Sequence, residues 1–444
     1  MSKRKTRYAI VGVGGRSRMY VQALADRYRH IAELVGACDT NLGRLELLNR
    51  DLAGWNHPAV PLYLDTQFDR MVAETRPEKV IVTTKDCFHD TYIIRAMELG
   101  CDAVTEKPMT TDERKCRRIG QAMRRTGRRL RVTFNYRYAP SRTQIKDLLM
   151  SGAIGKVLSV DFHWLLDTRH GADYFRRWHR FKANSGTLLV HKATHHFDLV
   201  NWWLSASPVE VVARGGRVFY TPETADRYGL KRRTDRCLTC PEKAKCKFYL
   251  DLAANPRLKE MYLDTEQYDG YRRDQCVFGK DITIYDTMNL VVAYDSGALM
   301  SFSLNAFCPK EGYEIRFNGT RGRLEFTTLE AAYVSGADDP DKQHATIRKA
   351  THLTVWPHFG PGREVEVWRG TGGHGGGDAP LLDTVFLPKP PKDKYKRSAG
   401  YAEGAYSILT GIAARKSIET GRPVRIERLV PGLPPPEFPK MPVW

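Results

Sequence analysis

Two short motifs carry the chemistry of this chain: Gly12-Val13-Gly14-Gly15-Arg16 near the N-terminus, and Glu106-Lys107-Pro108 after the short run Asp102–Thr105. A glycine cluster between a strand and a helix lets backbone amides approach a pyrophosphate. Lys107, at the end of a neighbouring strand, would set an ammonium beside the reactive ring of a dinucleotide held there. Together the motifs imply a cofactor and a cation at its reacting end.

A sheet must hold these motifs in register. Tyr8–Val13 is a β-rich apolar run that ends in the glycine cluster, and a helical stretch follows from about Ser17 to Tyr28. A second buried strand, Glu33–Cys38, ends in Asp39, whose carboxylate suits the two hydroxyls of an adenosine ribose. Lys79–Thr84, Asp102–Thr105 and Arg131–Phe134 are expected strands, with helices at His89–Leu99 and Asp112–Arg125 between them. This alternation predicts a doubly wound parallel sheet. Ligands of such sheets sit beyond the carboxyl ends of the strands, where Thr83, Thr84, Glu106, Lys107 and Asn135 fall.

Beyond about residue 150 the pattern changes. Gly155–Trp164, Val209–Val218, Asp281–Tyr294, Leu299–Ala306, Gly312–Asn318 and Arg323–Phe326 read as strands, with one long helix at Thr187–Leu204. Consecutive strands with few helices predict a second, α+β domain on a mostly antiparallel sheet. The expected division is residues 1–138 and 139–444, with a Cys-bearing insert near 220–280, a Gly-rich insert near 329–398, a helix over Gly400–Glu419 and a Pro-rich tail at 432–444.

The formal charge is +19, and much of it lies in Arg114–Arg131. No aromatic residues interleave with those arginines, so a solvated helix face is expected rather than a nucleic-acid surface. The excess favours anionic ligands. No apolar run approaches the ~18–20 residues of a membrane span, and no apolar leader precedes the first strand, so the expected location is the cytoplasm.

Taken together, the glycine turn, Glu106-Lys107-Pro108, Asn135-Tyr136-Arg137, the helix carrying His195-His196-Phe197-Asp198-Leu199 and the stretch into Thr420-Gly421-Arg422-Pro423 resemble the Gfo/Idh/MocA family of oxidoreductases. The resemblance covers most of the chain. It implies an N-terminal Rossmann domain, a C-terminal α/β domain whose open sheet commonly mediates oligomerisation as a dimer or tetramer, and a nicotinamide cofactor between them. The expected dinucleotide contacts are Gly12, Gly14, Gly15, Arg16, Asp39, Thr83, Thr84, His89, Glu106, Lys107 and Asn135. NAD is expected over NADP, because Asp39 would repel a 2′-phosphate.

Oxidation of a secondary alcohol requires a base for the hydroxyl proton and a cation for the developing alkoxide. With an unperturbed pKa of ~6.5, the imidazole of His195 suits the proton, and the ammonium of Lys107 suits the oxygen. His191 departs from the family pattern, which has an acidic or amide residue there. As read from sequence, it lies one helical turn before His195 and shares its face, as a second group for substrate or proton. Arg137, Trp178, Lys192 and His196 are expected at the substrate. Trp178 falls in the segment Asp167–Asn184, read as a loop that either folds over the cleft or packs the domains together.

Cys237, Cys240, Cys246 and Cys276 are spaced C-x2-C-x5-C-x29-C. Four thiolates in one insert suit a structural zinc ion, with free thiols and an iron–sulfur cluster as the alternatives. The expected function is an NAD(H)-dependent oxidoreductase acting on a sugar, polyol or glycoside. Its rival is a glycosidase that oxidises, eliminates, hydrates and re-reduces with no net change of cofactor. A cofactor-bound sensor without turnover fits poorly with Lys107 and His195 both present.

Overall fold

The computed structural model describes residues 4–331 and 351–442. Six parallel strands form the first sheet: β1 (Thr6–Val11), β2 (Ala32–Asp39), β3 (Leu62–Leu64), β4 (Lys79–Val82), β5 (Asp102–Thr105) and β6 (Leu130–Val132). Their order is β3-β2-β1-β4-β5-β6, so the winding reverses between β1 and β4. The strands read as continuous apolar runs because both faces are covered. Tyr8 and Ile10 enter one core with Val21, Leu24 and Leu45, whereas Ala9 and Val11 enter another with Met71 and Ile93. Helices α1 (Arg18–Ala25), α2 (Leu42–Gly54), α3 (Phe68–Thr75), α4 (His89–Glu98) and α5 (Glu113–Thr126) connect the strands. The basic segment lies largely on α5. Arg114, Arg117, Arg118, Arg124 and Arg125 are exposed, while Cys116, Ile119 and Ala122 are buried.

The second sheet has nine strands, β7 (Val157–Asp167), β8 (Pro208–Gly216), β9 (Thr287–Tyr294), β10 (Leu299–Cys308), β11 (Glu311–Gly319), β12 (Gly322–Ala331), β13 (Thr351–Pro357), β14 (Arg363–Glu364) and β15 (Val424–Arg425). They run in the order β14-β13-β12-β11-β7-β10-β9-β8-β15. All neighbours are antiparallel except β7 and β10. The fully buried helix Thr194–Leu204 and the helix Tyr401–Thr420 pack together, with Ser407 Oγ donating to the Thr194 carbonyl at 2.7 Å. Gly411 lets Tyr401–Thr420 also approach the preceding helix, Leu188–His191, because a Cβ there would lie 2.1 Å from the Leu189 carbonyl oxygen.

Three local expectations need correction. The segment after β7 is helical rather than a loop, since the Asp167 carboxylate caps the helix Thr168–Arg176 by accepting the amides of Arg169 and His170. The single helix expected over 187–204 is two, Leu188–His191 and Thr194–Leu204, broken at Lys192-Ala193. The strand expected from Asp281 begins only at Thr287. Part of the Gly-rich insert, residues 332–350, lies outside the described residues. Its later half forms the helix Asp378–Phe386, and the Phe386 ring stands 5.0 Å from the rings of Tyr8 and Tyr28 in the first domain.

Candidate active site between the two sheets

One cavity of about 1170 Å³ runs from the glycine turn to the helix break, and both domains line it. At its nucleotide end Gly12 has φ +86°, and a Cβ there would lie 2.6 Å from the Thr84 amide nitrogen, so only glycine allows β4 to approach. Thr83 Oγ1 donates to the Gly12 carbonyl at 2.5 Å and pins the turn. A Cβ on Gly14 would meet nothing within 4 Å, which marks the open flank of the cradle. Asp39, at the end of β2, lines the same end of the cavity. Its carboxylate already accepts the amides of Val13 at 2.6 Å and Asn41 at 2.9 Å, with Arg44 Nε at 3.8 Å.

Arg16 and Glu106 both line the cavity, but they are engaged with each other. Arg16 Nε donates to Glu106 Oε1 at 2.6 Å, and the Tyr20 hydroxyl donates to the same oxygen at 2.7 Å. Glu106 therefore ties α1 to β5 and holds the backbone that presents Lys107. His89 does similar work, with Nδ1 2.7 Å from the Pro108 carbonyl and Nε2 3.1 Å from that of Thr84. Asn135 Nδ2 donates to Asp378 at 2.7 Å, and Asp378 also faces His374 Nδ1 at 2.9 Å, which brings the Gly-rich insert to the cavity.

The opposite end of the cavity is built around the helix break. The His195 amide donates to the Lys192 carbonyl at 3.3 Å, a tightened turn, so the His191 carbonyl is free to accept from Lys107 Nζ at 3.3 Å. The break thus positions the amine. Burial pushes Lys107 down from its ordinary value to about 8, against the opposing pull of Asp86 and Glu106. Beyond the break His191 and His195 part company rather than share a helical face. His195 lies flat on Tyr136, with ring centroids 3.9 Å apart and planes at 8°. The His191 ring turns to His179, 4.2 Å away, and its Nδ1 meets Asp86 Oδ2 at 2.6 Å. Burial pushes both imidazoles well below their ordinary range, with Lys107 adding to it, which favours their neutral form. Burial pushes the Asp86 carboxyl up, while Lys107 and Arg177 pull it back.

Lys192 and Trp178 also line the cavity. Lys192 Nζ donates to the Tyr136 hydroxyl at 3.2 Å, and Trp178 stacks on His179 at 3.5 Å. Arg137 and His196 do not line it. Arg137 is fully buried in a two-pronged pair with Asp198, at 2.7 and 2.6 Å, and His196 is stacked on Trp164 at 4.0 Å. The four insert cysteines border one apolar pocket of about 20 Å³ beside Phe248 and Phe278. Burial raises the thiols of Cys237, Cys246 and Cys276, and Cys237 Sγ accepts the Leu250 amide at 3.5 Å. Among the described residues no group of three or more His, Cys, Asp or Glu is arranged to hold a metal ion, so the zinc expectation finds no support.

Several lining residues have no sequence motif. Asp86 is one, Glu311 and Arg142 are others, and Arg257, Tyr262, Asp269 and Arg273 come from the Cys-bearing insert. The residues present fit a dinucleotide. The Gly14 flank is open, Asp39 ends β2, and Arg273 is buried with Nε and Nη1 unpartnered among the described residues.

Comparison with known proteins agrees with this geometry. Residues 6–134 match the sequence model described as the oxidoreductase family's NAD-binding Rossmann fold, and residues 146–426 match that of its C-terminal alpha/beta domain. A Bacillus subtilis protein named as an oxidoreductase, YteT, is 36% identical over 93% of this chain and 95% of its own length. Inositol 2-dehydrogenase 4 of Saccharopolyspora erythraea is 26% identical over 49% of this chain and 59% of its own. Among solved structures, the WlbA dehydrogenase of Bordetella pertussis, in complex with NADH and UDP-GlcNAcA, superposes with a TM-score of 0.63 at 17% identity, covering 95% of this chain and 99% of that one. At that identity the likeness is one of fold.

Proposed function

The chain belongs to the Gfo/Idh/MocA oxidoreductase family, and from that premise we propose that it is an NAD(H)-dependent enzyme acting on a secondary hydroxyl, or the matching ketone, of a sugar, polyol or glycoside. The observation that carries this reading is the buried Lys107 amine, held on the His191 carbonyl in one cavity with the glycine turn and His195. A relative named for inositol supports a polyhydroxylated substrate.

When bound, the nicotinamide supplies a two-electron acceptor for the carbinol hydrogen. The chain supplies the rest. Gly12–Gly15, Thr83, Thr84 and Asp39 would hold the dinucleotide. Lys107 Nζ, fixed by the His191 carbonyl, stabilises the charge that develops on the carbinol oxygen. His195, kept neutral by burial and fixed flat on Tyr136, accepts the hydroxyl proton. Lys192 and Trp178 stand at the substrate side.

His191 supports a second reading. With Nδ1 on Asp86, it is an acid/base separate from His195, and a site with two bases suits proton removal from the carbon next to a transient ketone. That is the step a redox-neutral glycosidase needs. Purified protein mixed with a panel of polyols, aldoses and glycosides, followed by NADH absorbance alongside aglycone release, separates the two. Net NADH supports the dehydrogenase; cleavage with no net NADH supports the glycosidase; neither, across the panel, removes both.

A further inference from the structure

We infer that residues 255–273 of the Cys-bearing insert form a strap that closes the dinucleotide site and holds the cofactor against release; the inference rests on the reading of the Gly12–Gly15 cavity as that site. The strap leaves the second domain and is fastened to the first at four places. The Asn41 side-chain amide donates to the Thr265 carbonyl at 2.8 Å. Arg257 grips Asp51 of α2 with two bonds, of 3.0 and 2.5 Å. Arg44 pairs with Asp269, both largely buried. Met261 and Tyr262 pack on Leu47 in a small core of their own. The fit is close, because a Cβ on Gly43 would lie 2.8 Å from both Thr265 Cγ2 and Tyr268 Cε2.

Two strap residues are directed at the ligand. The Tyr262 hydroxyl accepts the Gly15 amide at 3.3 Å, so it stands at the turn whose N–H groups hold a pyrophosphate. Arg273 lines the same cavity and is only 8% exposed. Its Nη2 is fixed by Asp173 at 2.7 Å, whereas Nε and Nη1 have no hydrogen-bond partner among the described residues. A buried guanidinium with unused N–H groups, 5.8 Å from the ring of the Tyr262 whose hydroxyl meets Gly15, is suited to an anionic diphosphate. Lifting the strap to free that ligand would separate Arg257 from Asp51 and Arg44 from Asp269 and expose Met261. Release is therefore gated by the strap rather than by the glycine turn alone.

The test measures dissociation rather than turnover. Full-length protein loaded with NADH is mixed with excess NAD, and loss of the bound-NADH fluorescence gives the release rate. Asp51→Ala, which removes the anchor on α2, should speed release by about tenfold, the factor that ~1.4 kcal/mol of lost attachment gives. Arg273→Gln should do the same while leaving the anchors in place, and strap amides should gain hydrogen-exchange protection on NADH binding in the wild type. Release rates within about twofold of wild type in both folded variants, together with unprotected strap amides, would overturn the strap while leaving the dinucleotide site standing. Failure of the wild type to bind NADH or NADPH at all would overturn the underlying reading and the strap with it.

Discussion

Asp86→Asn isolates the charge that Asp86 places beside Lys107. The asparagine keeps an oxygen for the His191 Nδ1–H, now at 2.6 Å from the carboxylate, so the ring should hold its place while one negative charge disappears. In the native site Lys107 titrates at about 8, with burial driving it down and Asp86 the foremost group holding it up. An opposite charge beside an amine favours its ammonium form by ~1–3 on the pH scale, so loss of Asp86 should push Lys107 further down. Each step of one below the assay pH removes about tenfold of the form that stabilises an alkoxide. The assay is the pH dependence of Lys107 modification by an amine reagent, read by mass spectrometry, since only the free amine reacts. The midpoint should lie near 8 in the wild type and move to lower pH in the variant. An unmoved midpoint would show that Asp86 carries no charge beside Lys107, and would refute the electrostatic account of the site.

Other variants probe the groups around it. His195→Ala should lower kcat by about 10²–10⁴-fold, the usual range for a lost acid/base, with a smaller change in KM; equal rates would remove His195 from the proton step. Arg137→Ala leaves Asp198 buried without its partner, so chemical denaturation should show a loss of ~3–5 kcal/mol, while kcat/KM per folded molecule holds because Arg137 does not line the cavity. Asp173 is held at about 2 rather than 3.8: burial opposes ionisation, but Arg273, Arg177 and Arg176 overcome it. Its folded pKa is depressed, so its stabilisation is present above about 3.8 and lost as pH falls through about 2. Asp173→Asn should therefore cost about 2 kcal/mol at neutral pH and flatten acid unfolding within that window.

The cofactor end of this site is readable in the chain because its signals are local. β1, β4 and β5 are buried on both faces and so appear as apolar runs, and the motifs follow directly at their carboxyl ends. The region from 42 to 75 is harder. α2 interrupts its apolar face with Asn49, Arg50 and Asp51, and β3 is only Leu62–Leu64, too short to show a period. The Asp167 cap before Thr168 is a readable sign of the helix Thr168–Arg176, obscured by the run of cations that follows it. The helix break at Lys192 has no proline or glycine to mark it, so His191 and His195 look like neighbours on one face until the fold separates them. The remaining site residues depend on distant partners. Asp86 meets His191 across 105 positions, Tyr262 meets Gly15 across 247, and Arg137 finds Asp198 across 61, each through packing of separate elements. Arg137 illustrates the cost: beside Tyr136 it resembles a substrate ligand, yet the fold spends it on a buried ion pair.

The central claim is that Lys107 acts at a carbinol carbon whose hydrogen passes to the nicotinamide. Enzyme loaded with NAD should be mixed, in a single turnover, with a panel member deuterated at its carbinol carbons, and the reduced dinucleotide weighed by mass spectrometry. The account predicts one deuterium on the dinucleotide with the wild type. It predicts none with Lys107→Ala, although that variant still binds NAD. Reduced dinucleotide without deuterium in the wild type, or deuterium transfer at an undiminished rate in Lys107→Ala, would contradict it.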